Sequence, residues 1–457
     1  VRGSYATMAE AMDVIQDGDT ITLTDNLVAT KSDKLVVTKT ITLDGQGYTM
    51  TADDTAFSMI EVETTGHLTL KNITLDGNGC SNRSFSSILQ IEGGYAVIEE
   101  GTVLTNNATA AVDLGVNVPG GTCVMNGGMI CNNVMPAGSN DTGVAVTVLE
   151  ESTFIMNGGT ISGNQTLKYG SSGIMVNRGG TAILNGGVIE DNATQVAGMA
   201  SAVHIKGGYV ELNGTTIRNN TSAAGYGAVY VTNHSSFGRY WDGVLDINGG
   251  VIAGNKDADG NPNAIYLLSW SGVYGTHAYV NFSGTPDIQG PSTIYANSSS
   301  QVDFAPLNVD GAFDPVTPVE LNPLFYYIVD QTIVLYADGL TPDSSHFVAS
   351  QEDYGFQADL TNQLLYTEQR RPVVYLDGNQ ELSELSCWAF VEDTLVQPED
   401  TDNLKPGYIL EGWYQDQALT QPWNFDTDTL PREDGTFYLY AKWSPVPAQA
   451  PELDQVT

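Results

Sequence analysis

The sequence predicts an all-β protein built mainly as a right-handed parallel β-helix, three strands to a coil and about ten coils long, and three observations lead there. The first is an internal repeat. MNGGMICNN (125–133), MNGGTISGN (156–164), LNGGVIEDN (184–192), LNGTTIRNN (212–220) and INGGVIAGN (247–255) share one plan, with LKNITLDGN (70–78) and EEGTVLTNN (99–107) as looser copies. The closing Asn falls at 78, 107, 133, 164, 192, 220 and 255, at intervals of 29, 26, 31, 28, 28 and 35. A fixed unit interrupted by loops of changing length drifts in this way, whereas a heptad or rigid helical repeat does not. The second observation is alternation inside each unit: GIMVN (173–177), a Gly-rich turn, TAILN (181–185), then a short strand carrying Val188 and Ile189, closed by Asn192. Three strands and three corners make one rung, and stacked rungs join their inward apolar residues into a core that no single rung could form. The third is composition: 49 Gly with only 16% charged residues suits turns and strands better than charged surface helices.

Each element follows in order. Residues 1–18 read as a capping helix: Thr7-Met8-Ala9-Glu10 has capping-box spacing, Met8, Met12 and Ile15 share a helical face, and Gly18 is a natural stop. Such a cap shields the strand edges of the first coil. Coils are expected over 19–345, regular to about residue 310, with further strands in FYYIVDQTIVLYADGL (325–340). Residues 346–371 read as a closing hairpin and connection, 372–444 as a second module, and 445–457 as a Pro-rich linker leading to further domains. At the corners, Gly supplies positive φ. The recurring Asn residues, Asn78, Asn107, Asn133, Asn164, Asn192, Asn220 and Asn255, are expected to stack as a structural ladder, turning their amides onto neighbouring backbone.

The opening SYATMAEAMDVIQDGDTITLTDN resembles the start of many pectin-lyase-like β-helices of bacterial surface proteins. The second module, through PVVYLDGN (372–379), Gly407-Tyr408, Gly412-Trp413-Tyr414, Trp423, Phe425 and Tyr440-Ala441-Lys442-Trp443, resembles the Listeria-Bacteroides repeat, also called the internalin B-repeat. It departs from that family at Asp377-Gly378-Asn379, where an Asn-Gly-Gly turn is usual. The resemblance implies a small β-grasp-like spacer or interaction unit of secreted, multi-domain surface proteins, without an active site of its own. Read from the residues alone, Trp413, Tyr414, Trp423 and Trp443 serve chiefly as core anchors for a domain too small to build its core from aliphatics.

Seventeen Lys and Arg face 54 Asp and Glu, a formal charge of -37. That balance disfavours nucleic acid, anionic lipid and other polyanions as partners. No apolar run is long enough to span a membrane, so no direct membrane insertion is expected. The start at Val1 lacks the regions of a signal peptide, and any export signal or wall anchor is expected outside this sequence. Cys80, Cys123, Cys131 and Cys387 form no CxxC pair and read as small buried hydrophobes.

A polysaccharide lyase or glycoside hydrolase is the enzymatic alternative, since those enzymes share this architecture, but fold alone does not decide function. The Asn-Thr-Asp, Gly-His-Gly and Arg-Ile-Lys elements of polygalacturonase-like enzymes are missing: His67 stands in Gly-His-Leu and Asp53-Asp54 stands alone. Arg178, Lys206 and Arg218 are the basic candidates for a lyase, with Arg218 more simply a solvated turn residue. No catalytic residue and no metal ligand is assigned. No cofactor is expected; Asp257-Ala258-Asp259-Gly260-Asn261 opens like a calcium loop, yet Leu268 stands where the closing carboxylate belongs, and a plain turn is the better reading. Binding has a more concrete signal. Aligned rungs put Glu61, Gln90, Asp113, Thr147, Met175, His204, Tyr230, Tyr266 and Tyr295 in one outward row, flanked by loops with Tyr240-Trp241 and Trp270. Tyr230, Tyr266, Tyr295, His204, Trp241 and Trp270 are therefore the candidate binding residues for a glycan or another host or bacterial surface ligand. The competing expectation is that the loops 232–243 and 268–277 fold over that row and bury it. The expected protein is a secreted or wall-attached, extracellular adhesin-like rod, with a purely structural stalk as the third reading.

Overall fold

The computed structural model describes residues 3–53, 58–79, 87–137, 143–167, 170–270, 276–297, 306–324, 332–399 and 401–447. The chain divides into two compact units: Val1–Tyr326 with Thr332–Ser350 and Ala358–Leu365, and Tyr327–Gln331 with Gln351–Gln357 and Tyr366–Thr457.

The first unit is a parallel β-helix of three long sheets. Sheet 1 runs from Asp19–Thr22 to Thr332–Tyr336, each strand pairing in parallel with its counterpart one coil on. Among the described residues, sheet 2 has ten strands, from Leu27–Ala29 to Asp287–Ile288, and sheet 3 has twelve, from Leu35–Val37 to Phe347–Ala349. Phe347–Ala349, which the sequence predicts as part of a closing hairpin, pairs in parallel with Val319–Pro323 and so extends the rod. In the middle coils a fourth sheet of five two-residue strands, Val134–Met135 to Lys256–Asp257, follows the closing Asn.

The register stacks like on like. Cys123 lies between Ala96 and Phe154 on sheet 1, all fully buried, and burial pushes its thiol up to about 12. Cys131 is also buried, but Cys387 is exposed and departs from the expected pattern; Cys80 lies outside the described residues. The second Gly of the Asn-Gly-Gly corner is dictated by space as well as by φ. At Gly187, with φ of 82°, a Cβ would stand 2.6 Å from the Gly159 carbonyl of the coil before.

The N-terminal helix is Met8–Val14, shorter than 1–18, because Ile15 already takes an extended conformation as its C-cap. The Thr7 side chain accepts from the Glu10 N–H, as the capping box predicts, and Met8 is buried.

In the second unit the sheet order is Cys387–Phe390, Leu364–Asp377, Phe437–Pro445, Tyr408–Tyr414. The first and last strands in chain order are parallel neighbours at its centre. Tyr375, Trp413, Trp423, Leu430 and Leu439 form its core, with the Tyr375 and Trp413 rings 4.7 Å apart edge to face; Trp443 is partly buried against it. The buried Arg371 donates to the carbonyls of Gly435 at 3.0 Å and Pro431 at 2.8 Å.

Candidate functional site

Sheet 3 carries the predicted row. The pairs Glu61↔Gln90, Gln90↔Asp113, Asp113↔Thr147, Thr147↔Met175, Met175↔His204, His204↔Tyr230 and Tyr230↔Tyr266 follow in unbroken register. The row then continues to Thr293; Tyr295 pairs with Leu268, two residues further along the strand. Trp270 belongs to the backbone of that strand, but its side chain lies outside the described residues.

The row points away from the helix core without forming an open face. Asp113, Thr147, Met175, His204 at 1% exposure and Tyr230 at 5% are buried, while Tyr266 and Tyr295 are half-buried. Tyr226, which the sequence did not mark, comes from the connection leading into the next sheet 3 strand and sets its ring 5.9 Å from Tyr230 and 4.9 Å from Tyr266. His204 stacks on Tyr230 at 4.8 Å, and neither of its ring nitrogens has a hydrogen-bond partner among the described residues. Burial, with Lys206 and His234 nearby, pushes its pKa down to about 3, so the imidazole is neutral.

Two asparagine ladders run along the rod. In the buried one, the amide of each of Asn133, Asn164, Asn192 and Asn220 donates to the side-chain carbonyl of the next member, ending at Asn255, at 2.9 to 3.0 Å. Asn107 begins it by donating its backbone N–H to the Asn133 side-chain carbonyl. Asn78 differs from the buried members in being exposed, with φ of 53°, and its amide donates to the Ala52 carbonyl. A second, more exposed ladder joins the Asn residues of the Asn-Gly corners, Asn126, Asn157, Asn185, Asn213 and Asn248. The loop after Asp257 closes on that carboxylate, which accepts from the backbone of Gly225, Asp259 and Asn261, a hydrogen-bonded turn. Arg218 pairs with Glu190 at 2.8 Å on the surface.

Of the loop 268–277, residues 271–275 lie outside the described residues, while the loop 232–243 adds an element of its own. It forms an antiparallel hairpin, His234–Ser236 against Arg239–Trp241, with Ser236 opposite Arg239 across a two-residue turn. Its base rests where stacked turn glycines leave room: a Cβ on Gly179 would meet Trp241 Nε1 at 3.2 Å, and one on Gly207 would meet the Cβ of His234 at 2.6 Å. Trp241 stacks on His234 and lies under the Arg239 guanidinium at 5.4 Å. Arg239 and Arg178 both reach Glu150, at 3.5 and 3.9 Å. Lys206, at the end of the strand carrying His204, makes no ion pair among the described residues; burial and Arg178 lower its pKa. The same surroundings push His234 down to about 4. At the tip, Phe237 is 97% exposed with φ of 50°, followed by Gly238 at 77°. A hairpin turn with positive φ at both centres favours Asn-Gly, and an aromatic in the left-handed region is strained.

The chain thus combines a parallel β-helix with a small aromatic-cored β module. Residues 386–442 match the Listeria-Bacteroides repeat domain, a narrower span than the 372–444 expected from sequence. Two proteins of Evansella cellulosilytica resemble parts of the chain. One, named a Gly-rich membrane protein, is 39% identical over 67 residues, covering 15% of this chain and 7% of that protein. The other, named a membrane protein, is 34% identical over 67 residues, 15% of this chain and 9% of its own length. The match therefore spans under a tenth of either relative. The repeat and these relatives together suggest a cell-surface protein. Among the described residues, no helix is long and apolar enough to cross a membrane.

Proposed function

We propose that this chain is a surface-displayed, adhesin-like binding protein, in which the β-helix is a rigid rod that presents the 234–241 hairpin to a glycan and the repeat module is a spacer. The exposed Phe237 carries this reading. A large apolar ring kept in solvent on a strained, hydrogen-bonded turn costs stability and gains nothing within the fold, whereas stacking on a sugar ring would use it. Tyr240, 37% exposed on the face of the hairpin opposite Arg239 and Trp241, adds a second aromatic surface. A glycan array on the purified chain, with product analysis on each hit, tests the proposal. Binding without turnover that is lost in Phe237→Ala and kept in Tyr230→Phe supports it. Turnover of any polymer would make the chain an enzyme, and silence across the array would leave the structural stalk.

A further inference from the structure

We infer that the inner side of the hairpin and the turns beneath it form a binding site for one carboxylated sugar at the end of an otherwise neutral glycan. The inference rests on the hairpin being the binding element, and three observations carry it.

The first is a local reversal of charge. Only 17 basic residues stand among 54 acidic ones, yet Arg178, Lys206 and Arg239 converge here from two successive coils and the hairpin. Glu150 is the one carboxylate paired with them among the described residues. Asp242, beside Trp241, is turned to the His277 N–H at 2.7 Å, and Glu151 projects from the next turn position into solvent. Three cations against one paired carboxylate leave a positive patch.

The second is unused donor capacity. Glu150 lies 3.9 Å from Arg178 and 3.5 Å from Arg239, beyond the roughly 2.7–2.9 Å of a formed charge-assisted hydrogen bond. Among the described residues the Lys206 ammonium has neither ion pair nor hydrogen bond, and the Arg178 guanidinium has only the long contact to Glu150. A carboxylate has the oxygens to satisfy both, and Glu150 occupies part of that field as an internal stand-in.

The third is the charge of the whole chain. At physiological ionic strength fields decay over about 8 Å. A single carboxylate confined to the patch meets the local positive potential, whereas a long polyanion must also lie along a surface that is negative overall. Phe237, at the tip of the same hairpin, stands ready to stack on the neutral sugars that follow.

The test is calorimetric titration of the full chain with sialyllactose, lactose, polyglucuronate and sodium acetate. Sialyllactose should bind at least about tenfold more tightly than lactose, and Lys206→Gln should remove that difference while leaving the thermal midpoint unchanged. Glu150→Gln, by removing the internal competitor, should strengthen sialyllactose binding. Equal binding of sialyllactose and lactose, tighter binding of polyglucuronate, acetate binding as strongly as sialyllactose, or indifference to Lys206→Gln would each overturn the inference. Lactose binding that is lost in Phe237→Ala but ignores Lys206→Gln would keep the hairpin as the binding element and remove only the acidic-sugar site. If none of these saccharides binds, the acidic-sugar site falls, and the glycan array alone decides whether the hairpin binds another glycan.

Discussion

His204 is buried as a neutral imidazole with both ring nitrogens unpaired among the described residues, and that ties the stability of the rod to pH. Its folded pKa of about 3 lies below the unfolded value of 6.5. Below pH 6.5 the unfolded chain takes up a proton that the folded chain refuses. The contribution of His204 is therefore fully present above that pH and is lost as pH falls from 6.5 toward 3, at up to about 1.4 kcal/mol per unit. Urea unfolding of the native chain and of His204→Phe, which keeps a ring against Tyr230, should show the native chain losing ground to the variant between pH 7 and 4.5. A gap that stays constant over that range would mean that the imidazole can protonate in place. Rung alignment made the contact between His204, Tyr230 and Tyr266 legible because their strands pair without interruption. Tyr295 escaped it because a slip of two residues preserves the alternation of inside and outside, so the sequence pattern gives no warning. Nor could alternation reveal that the row is covered, since Tyr226 reaches it from a connection and not from a strand.

Among the elements, the two ladders look alike in sequence and differ in burial. Asn192 accepts from the backbone N–H of Asn164 at 3.1 Å and its amide at 2.9 Å, and donates to Asn220 and to the Ile161 carbonyl, both at 3.0 Å, all within the rod. Replacing it with Ala strands several buried groups and should cost about 2–4 kcal/mol. Asn185, exposed in the other ladder, should cost about 0.5 kcal/mol or less when replaced by Ala. Equilibrium denaturation with an unchanged m-value separates the two, and equal losses would show that the buried ladder contributes no more than the exposed one. The repeat revealed that Asn recurs at two fixed corners; only the coil cross-section tells which corner faces inward. Less was legible where an element breaks its own local rule. The hairpin turns on Phe237-Gly238 in place of Asn-Gly, so the strongest short-range hairpin signal is missing from the sequence.

Over the whole molecule, the solenoid was legible because each coil repeats the same inward apolar choices, and the second module because Trp413, Trp423 and Trp443 keep a recognisable spacing, whereas Tyr414 stays outside the core cluster. Charge acts at this scale as well. A formal charge of -37 along a rod opposes the compact state, while individual ion pairs such as Arg218 with Glu190 are exposed and worth little. Raising NaCl from 10 to 150 mM shortens the screening length from about 30 to about 8 Å, and the thermal midpoint of the β-helix should rise, on the order of 2 °C for each kcal/mol of repulsion removed. The proposed sugar site responds with the opposite sign, since screening weakens the attraction between the patch and a carboxylate. One salt series followed by calorimetric melting and by sialyllactose titration should thus show a stabler protein that binds less. A falling midpoint would mean that the ion pairs outweigh the net repulsion, and an affinity that does not fall with salt would remove the electrostatic basis of the site around Lys206.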